Sequence, residues 1–367
     1  MTGDLIKVLL SGIAGIIVAS TAMPFLLKYC RFKGLYDMPD SRKVHKYAIP
    51  RLGGVVFMPA MLVGLLVYFC IETKGFQGTF TLRTSSVLIS IGAFLIYVIG
   101  IVDDIIGMRA IHKFIIQLVA SALLPLCWLQ INNFYGLFGL YELPLWFSYP
   151  FTVFVILLIV NSINLIDGID GLASGLCICI LAVYVYLYIQ MEYTIMYAAG
   201  AAALLGALLI FFFYNVFGKA EKHNKMFMGD SGSLFLGYSL AYFSLKYSMN
   251  NPTVIPYRSH ALLLVFTLLI IPTFDVIRVA ISRLIVGKPI FGADKTHIHH
   301  KVMEAGFSMR QTLVIIIFLF VFFCGMNYLL YYCSVSVSII FLVDIVLFAA
   351  FVFMANVMAK LRRGRAH

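Results

Sequence analysis

Runs such as ALLLVFTLLIIPTF (261–274) and TLVIIIFLFVFFCGMNYLLYYC (312–333) carry no charged side chain over much or all of a bilayer's hydrocarbon depth. About 18 such residues in a row mark a membrane span. Inside lipid every backbone N–H and C=O must find its partner within the chain, which leaves helices or a closed barrel, and runs of this length and continuity predict helices. With 62% hydrophobic and only 12% charged residues, the chain reads as an all-α integral membrane protein, one polytopic domain over residues 1–367. About eleven spans are expected, near 5–28, 53–71, 85–102, 111–131, 147–166, 172–190, 194–214, 231–247, 261–285, 312–333 and 335–357. An odd number places the termini on opposite sides of the membrane.

Basic residues in short loops stay cytoplasmic. Of the 27 Lys and Arg, 22 fall in alternate loops and the C-terminal tail, and five (Lys7, Lys74, Arg83, Lys246 and Arg258) fall on the other side. The N-terminus is therefore expected outside and the C-terminus in the cytoplasm. The basic inner face orients the chain and meets anionic lipid, and it can attract an anionic soluble substrate; no nucleic-acid partner is expected. The first span lacks a cationic leader and cleavage site and reads as a retained helix. Seven cysteines, nearly all in or beside apolar runs, give no disulfide framework, and the aromatic outer loop 131–148 reads as an interfacial belt.

The acidic residues are concentrated where they cost most. Asp103 and Asp104 in GIVDDIIG, Asp167 and Asp170 in NSINLIDGIDG, and Asp230 in FMGDSGSLFLG lie at the inner ends of separate spans. Carboxylates at a membrane edge are expensive to dehydrate unless paired or coordinated, so their convergence on one site is the expectation. Oxygen ligands without CxxC or HExxH spacing suit Mg²⁺, with Mn²⁺ as a substitute, and Mg²⁺ commonly uses one or two carboxylates plus substrate phosphates. Asp167 and Asp170 share a face if a helix begins there, as do Asn161 and Asn164 on the preceding span. Several spans begin at the cytoplasmic edge, where free N–H groups favour anions. Gly53, Gly54 and Gly232 at those starts either let backbone approach a phosphate or let helices pack closely. Asp275 and Arg278 are spaced to pair. His297, His299 and His300 in HIHH lack a companion cysteine and read as hydrogen-bonding groups for a diphosphate or nucleotide. Asp344, within the last span, has no assigned partner.

In order, DMPDSRKVH with IPRLGG, VDD, NxxNLIDGIDGLASG, MGDSGSLFLG and DKTHIHH resemble the polyprenyl-phosphate N-acetylhexosamine-1-phosphate transferase family over about residues 35–305. The HIHH form resembles the branch that uses UDP-GlcNAc; the HHxxE motif of the branch handling UDP-MurNAc-pentapeptide is lacking. The resemblance implies transfer of GlcNAc-1-phosphate from UDP-GlcNAc to undecaprenyl phosphate in a bacterial inner membrane, with UMP released on the cytoplasmic side. It implies Asp103, Asp104 and Asp230 as catalytic residues, and Asp230, Asp104, Asp167 and Asp170 around Mg²⁺. Lys46, Arg51, Asn161, Asn164, Asp167, Asp170, His297, His299 and His300 would bind substrate. Asp37, Arg42, Lys43 and His45 repeat the family pattern without separate roles, and a homodimer is implied by the family alone.

Other UDP-N-acetylhexosamines, including FucNAc-type sugars, fit nearly the same motifs. An ion-coupled transporter would place its carboxylates near the midplane of repeated halves, whereas these crowd one edge and no repeat is evident. A CDP-alcohol phosphotransferase needs DGxxAR, which DGIDGLASG does not supply.

Overall fold

Each long apolar run is a helix in the computed structural model, which describes residues 2–37, 47–72, 83–191, 193–251, 255, 257–288 and 296–364. Lys46, Arg42, Lys43 and His45 lie outside the described residues. The helices are α1 (Thr2–Lys33), α2 (Phe57–Glu72), α3 (Thr84–Ile106), α4 (Ala110–Leu126), α5 (Leu145–Ile166), α6 (Leu172–Ile189), α7 (Ile195–Phe212), α8 (Gly229–Ser248), α9 (Ala261–Ile285), α10 (Ile298–Glu304), α11 (Met309–Tyr332) and α12 (Val337–Gly364). All but the short α10 coincide with an expected span. Two small antiparallel pairs interrupt the helical pattern, β1 (Tyr36–Asp37) with β2 (Ile49–Pro50) and β3 (Asn133–Leu137) with β4 (Leu140–Glu142). The second pair forms much of the aromatic loop between α4 and α5.

Among the described residues, nine helices are long and apolar enough to cross a membrane by length and composition. Of the remaining two expected spans, α4 is shorter, with 17 residues. The other, α8, is less apolar because protein surrounds it. Its buried residues run almost continuously from Ser231 to Ser248, including Ser233, Ser239 and Ser244. It packs between α3 and α5, with α9, α6 and α2 also touching it. A helix removed from lipid can trade apolar bulk for small residues that admit its neighbours closely.

Small residues also set the α1–α7–α2 packing. A Cβ on Gly15 would stand 2.0 Å from the Ala203 carbonyl oxygen, and one on Gly64 would stand 2.2 Å from the Ala203 Cβ. Farther round, Asp344 of α12 is fully buried. Asn327 of α11 donates through Nδ2 to Asp344 Oδ2 at 2.9 Å and to Thr267 Oγ1 of α9 at 2.8 Å. Asp344 thus has a partner that its sequence position did not disclose, and the three helices are tied in a setting where an unmet polar group is costly.

Candidate active site

The first turn of α8 organises the site. Its free N–H groups need acceptors, and Asp104 at the end of α3 supplies both oxygens: Asp230 N donates to Oδ1 at 2.8 Å and Ser231 N to Oδ2 at 2.9 Å. Only glycine fits the preceding position. Gly229 has φ +75°, and a Cβ there would lie 2.1 Å from the Arg51 carbonyl oxygen and 2.5 Å from Asp104 Oδ2. Neighbouring residues of a helix point about 100° apart, so Asp103 turns elsewhere. Its Oδ1 accepts from Met108 N at 2.7 Å, and its Oδ2 pairs with Lys113 of α4 at 3.2 Å. Lys113 also pairs with Asp230, whose Oδ1 accepts from Asn164 Nδ2 at 2.9 Å. Asn164 further donates to Ser233 at 2.8 Å. Asp230 is therefore held by three different elements.

The aspartates of NSINLIDGIDG sit on the turn joining α5 and α6. α6 begins at Leu172, as the expected span 172–190 has it, after Gly171 has taken φ +81°, so Asp167 and Asp170 lie before the helix and not together on its first turn. The turn is fixed instead by Asn215, whose Oδ1 accepts from Gly171 N at 2.7 Å and whose Nδ2 donates to the Met226 carbonyl at 3.0 Å. Asn215 lies in a π-helical turn, Phe213–Phe217, a local irregularity often found at functional sites. Asp170 pairs with Lys225. Asp167 has no hydrogen bond or ion pair among the described residues, and burial, with Asp230, Asp170 and Asp104 nearby, pushes its carboxyl up to about 7. The two asparagines separate in role: Asn161 donates to Gln117 of α4 at 3.0 Å and to the Leu157 carbonyl at 2.8 Å, and it does not line the cavity described below.

HIHH also divides. Asp275 of α9 accepts from Arg278 at 2.7 Å and from Ile298 N at 2.9 Å, and it bonds His297 Nδ1 at 2.8 Å. His297 is thereby occupied in fixing the start of α10. His299 is 1% exposed, with neither ring nitrogen hydrogen-bonded, and it packs on Gly168, where a Cβ would lie 2.2 Å from Nε2. Burial, with His300 beside it, pushes the His299 imidazole down to about 3, so the ring is neutral. His300 alone of the three lines the cavity.

For the glycines at the helix starts, the structure decides for packing. Gly53 N donates to the Phe227 carbonyl at 3.0 Å and Gly54 N to the Met228 carbonyl at 2.8 Å, so both amides are committed to protein backbone. A Cβ on Gly54 would stand 2.0 Å from the Gly232 Cα. What these contacts deliver is the placement of Arg51 against the start of α8.

All five aspartates line one cavity of about 420 Å³, together with Asp37, Arg51, Asn164, Asn215, Ser233 and His300. Its size is that of a small-molecule site. Lys113 and Lys225 were legible in sequence only as topological charges, although Lys113 follows Asp103 by ten residues; Asn215 gave no signal. Among the described residues no three His, Cys, Asp or Glu side chains are grouped as a ready metal cage. The half-buried, unbonded Asp167 near Asp230 instead suits a hard cation that takes one or two carboxylates and completes its shell elsewhere.

Residues 86–248 match the family model described as Glycosyl transferase family 4. The chain is 33% identical over 313 residues to a probable undecaprenyl-phosphate N-acetylglucosaminyl 1-phosphate transferase of Bacillus subtilis, covering 85% of this chain and 82% of that relative. It is 29% identical over 306 residues to the undecaprenyl-phosphate alpha-N-acetylglucosaminyl 1-phosphate transferase of Yersinia pestis, covering 82% and 78% of the two chains. The enzyme of that same description from Escherichia coli is 29% identical over 297 residues, covering 80% and 75%.

Proposed function

The chain belongs to glycosyl transferase family 4, and on that premise we propose that it transfers GlcNAc-1-phosphate from UDP-GlcNAc to undecaprenyl phosphate, giving undecaprenyl-diphosphate-GlcNAc and UMP. The observation that carries the assignment to this site is the convergence of Asp103, Asp104, Asp167, Asp170 and Asp230 on one cavity. An oxygen of the carrier phosphate forms a bond to the β-phosphorus, the bond from that phosphorus to the bridging oxygen breaks, and UMP departs with the electron pair. A phosphate monoester has a second pKa near 6, so the attacking group is largely ionised at neutral pH and needs orientation more than deprotonation.

Both substrates are anions, and the cavity wall is acidic. Among the described residues, Arg51 and His300 are the basic side chains lining it, with Lys113 and Lys225 ion-paired to its aspartates. That imbalance supports a divalent requirement. Asp167, which is unpaired among the described residues, and Asp230, whose pair with Lys113 the ion would displace, are the residues that would hold Mg²⁺; both oxygens of Asp104 accept backbone N–H groups and hold the start of α8 instead. When bound, the ion would neutralise phosphate charge as it develops. Asp104 positions Asp230 by holding the α8 start. Asp103 anchors Lys113, which in turn holds the Asp230 carboxylate. Arg51, Asn164 and His300 are placed to meet diphosphate, sugar or uridine. A single in-line displacement is favoured over a covalent aspartyl intermediate, because the attacking carrier phosphate is already anionic at neutral pH.

The site stands at the ends of α3, α5 and α8 that the basic loops assign to the cytoplasm, in a bacterial plasma membrane crossed eleven times. There a soluble nucleotide sugar and a lipid phosphate can meet. UMP release by purified protein, with undecaprenyl phosphate, Mg²⁺ and a panel of UDP-sugars, tests the reading. Lipid-dependent release is expected with UDP-GlcNAc; release confined to UDP-MurNAc-pentapeptide or a FucNAc-type sugar would overturn the substrate.

A further inference from the structure

A second hollow, of about 330 Å³, opens between α10 and the last turns of α12. Phe353, Val357, Lys360 and Arg363 line it at spacings of three and four, which keeps them along one side of α12. From α10 come Lys301 and Glu304. Glu304 pairs with Arg363 at 3.2 Å and stands 3.8 Å from Lys301. The hollow thus holds three cations to one carboxylate: Arg363 and Lys301 share Glu304, and Lys360 has no hydrogen bond or ion pair among the described residues. Just before this basic turn, α12 exposes Phe353, Met354, Val357 and Met358, the apolar surface expected to face acyl chains. The hollow therefore joins an apolar wall to a cationic rim at the end of a membrane helix.

We propose that this hollow binds the phosphate headgroup of an anionic phospholipid. Lys360, Arg363 and Lys301 face the phosphate oxygens, and Phe353 and Val357 flank the start of an acyl chain. Excess positive charge supplies the headgroup selectivity, while the adjoining apolar face distinguishes a lipid from a free anion. The site bears on the cavity of the aspartates through α10. Its Lys301 follows His300, which lines that cavity, and Asp275 pins the start of the same short helix. A lipid seated against α12 would fix α10 at its other end.

The test is native mass spectrometry of the full-length protein released from nanodiscs of phosphatidylcholine mixed with phosphatidylglycerol. Wild type should retain phosphatidylglycerol over phosphatidylcholine, and the double variant Lys360→Gln/Arg363→Gln should bind it about thirtyfold more weakly, at roughly fivefold per surface charge. Lys301→Gln alone should show the single step. Lys222→Gln, an exposed cation distant in sequence from both helices, makes the same change of charge and should leave retention unaltered. Equal retention by wild type and both hollow variants would overturn the proposal, as would an equal loss in Lys222→Gln. Displacement of the lipid by inorganic phosphate at matched concentration would also overturn it, by showing a free-anion site.

Discussion

Replacing Asp104 by Asn tests whether that residue acts by positioning. In the native site its two oxygens take the N–H groups of Asp230 and Ser231 at 2.8 and 2.9 Å, and the side chain is nearly out of solvent, at 4% exposure. Asparagine is the same size but has one acceptor and one NH₂, so one backbone donor then faces another donor. The hydrogen bond lost is to a charged group, roughly 1.5–3 kcal/mol, and stranding the buried N–H costs about 1–3 kcal/mol more. The surviving bond also loses its charge and its favourable interaction with the helix start, each a smaller effect. A destabilisation of about 2.5–6 kcal/mol is expected, read as a lower denaturation midpoint of the detergent-solubilised protein. Turnover should fall together with a weaker dependence on added Mg²⁺, because Asp230 follows the displaced turn. A variant that unfolds like wild type, gains the wild-type thermal shift from added Mg²⁺ and yet is inactive would refute the positioning role and place Asp104 in direct contact with the reacting phosphates.

Asp230→Asn should nearly abolish UMP release in a protein of normal fold; wild-type turnover would remove Asp230 from the machinery. Gly54→Ala should cost roughly 1–3 kcal/mol of stability or more, read as a lower thermal midpoint, since the added methyl meets the Gly232 backbone rather than a movable side chain. Asp344→Asn should be tolerated, because an amide retains an acceptor for Asn327 and brings a donor to the Asn327 and Asp344 side where buried oxygens stand unbonded; Asp344→Leu should cost about 1 kcal/mol in the same thermal assay. For Asp167, the folded pKa of about 7 lies above the ordinary ~3.9. Its ionisation therefore opposes folding increasingly from about pH 4 to about 7 and by a constant amount above that. Stabilisation by added Mg²⁺, followed as a thermal shift, should grow as pH rises through that window, and an Asp167→Asn protein should lose the growth.

The helices were legible because hydrophobic runs must be helical in lipid, and even α8 showed itself by the regular alternation of loop charge around it. The five aspartates were legible as motifs at span ends. What sequence could not show was the division of labour, which rests on contacts between distant segments. Asp104 reaches α8 across more than a hundred residues, and Lys113 looks like any loop cation until it stands between Asp103 and Asp230. HIHH reads as one motif, whereas burial assigns His297 to Asp275, His299 to Gly168 and His300 to the cavity. Glycine is ambiguous by itself, and only the partners of the Gly53 and Gly54 amides separated packing from phosphate binding.

The most direct measurement follows the β-phosphorus itself. Purified protein given UDP-GlcNAc radiolabelled at the β-phosphate, with undecaprenyl phosphate and Mg²⁺, should move the label into the lipid phase and leave unlabelled UMP in water. Label that remains on water-soluble UDP while the sugar passes to lipid, or that never leaves UDP-GlcNAc in a folded protein, would contradict phosphosugar transfer at the cavity of the five aspartates.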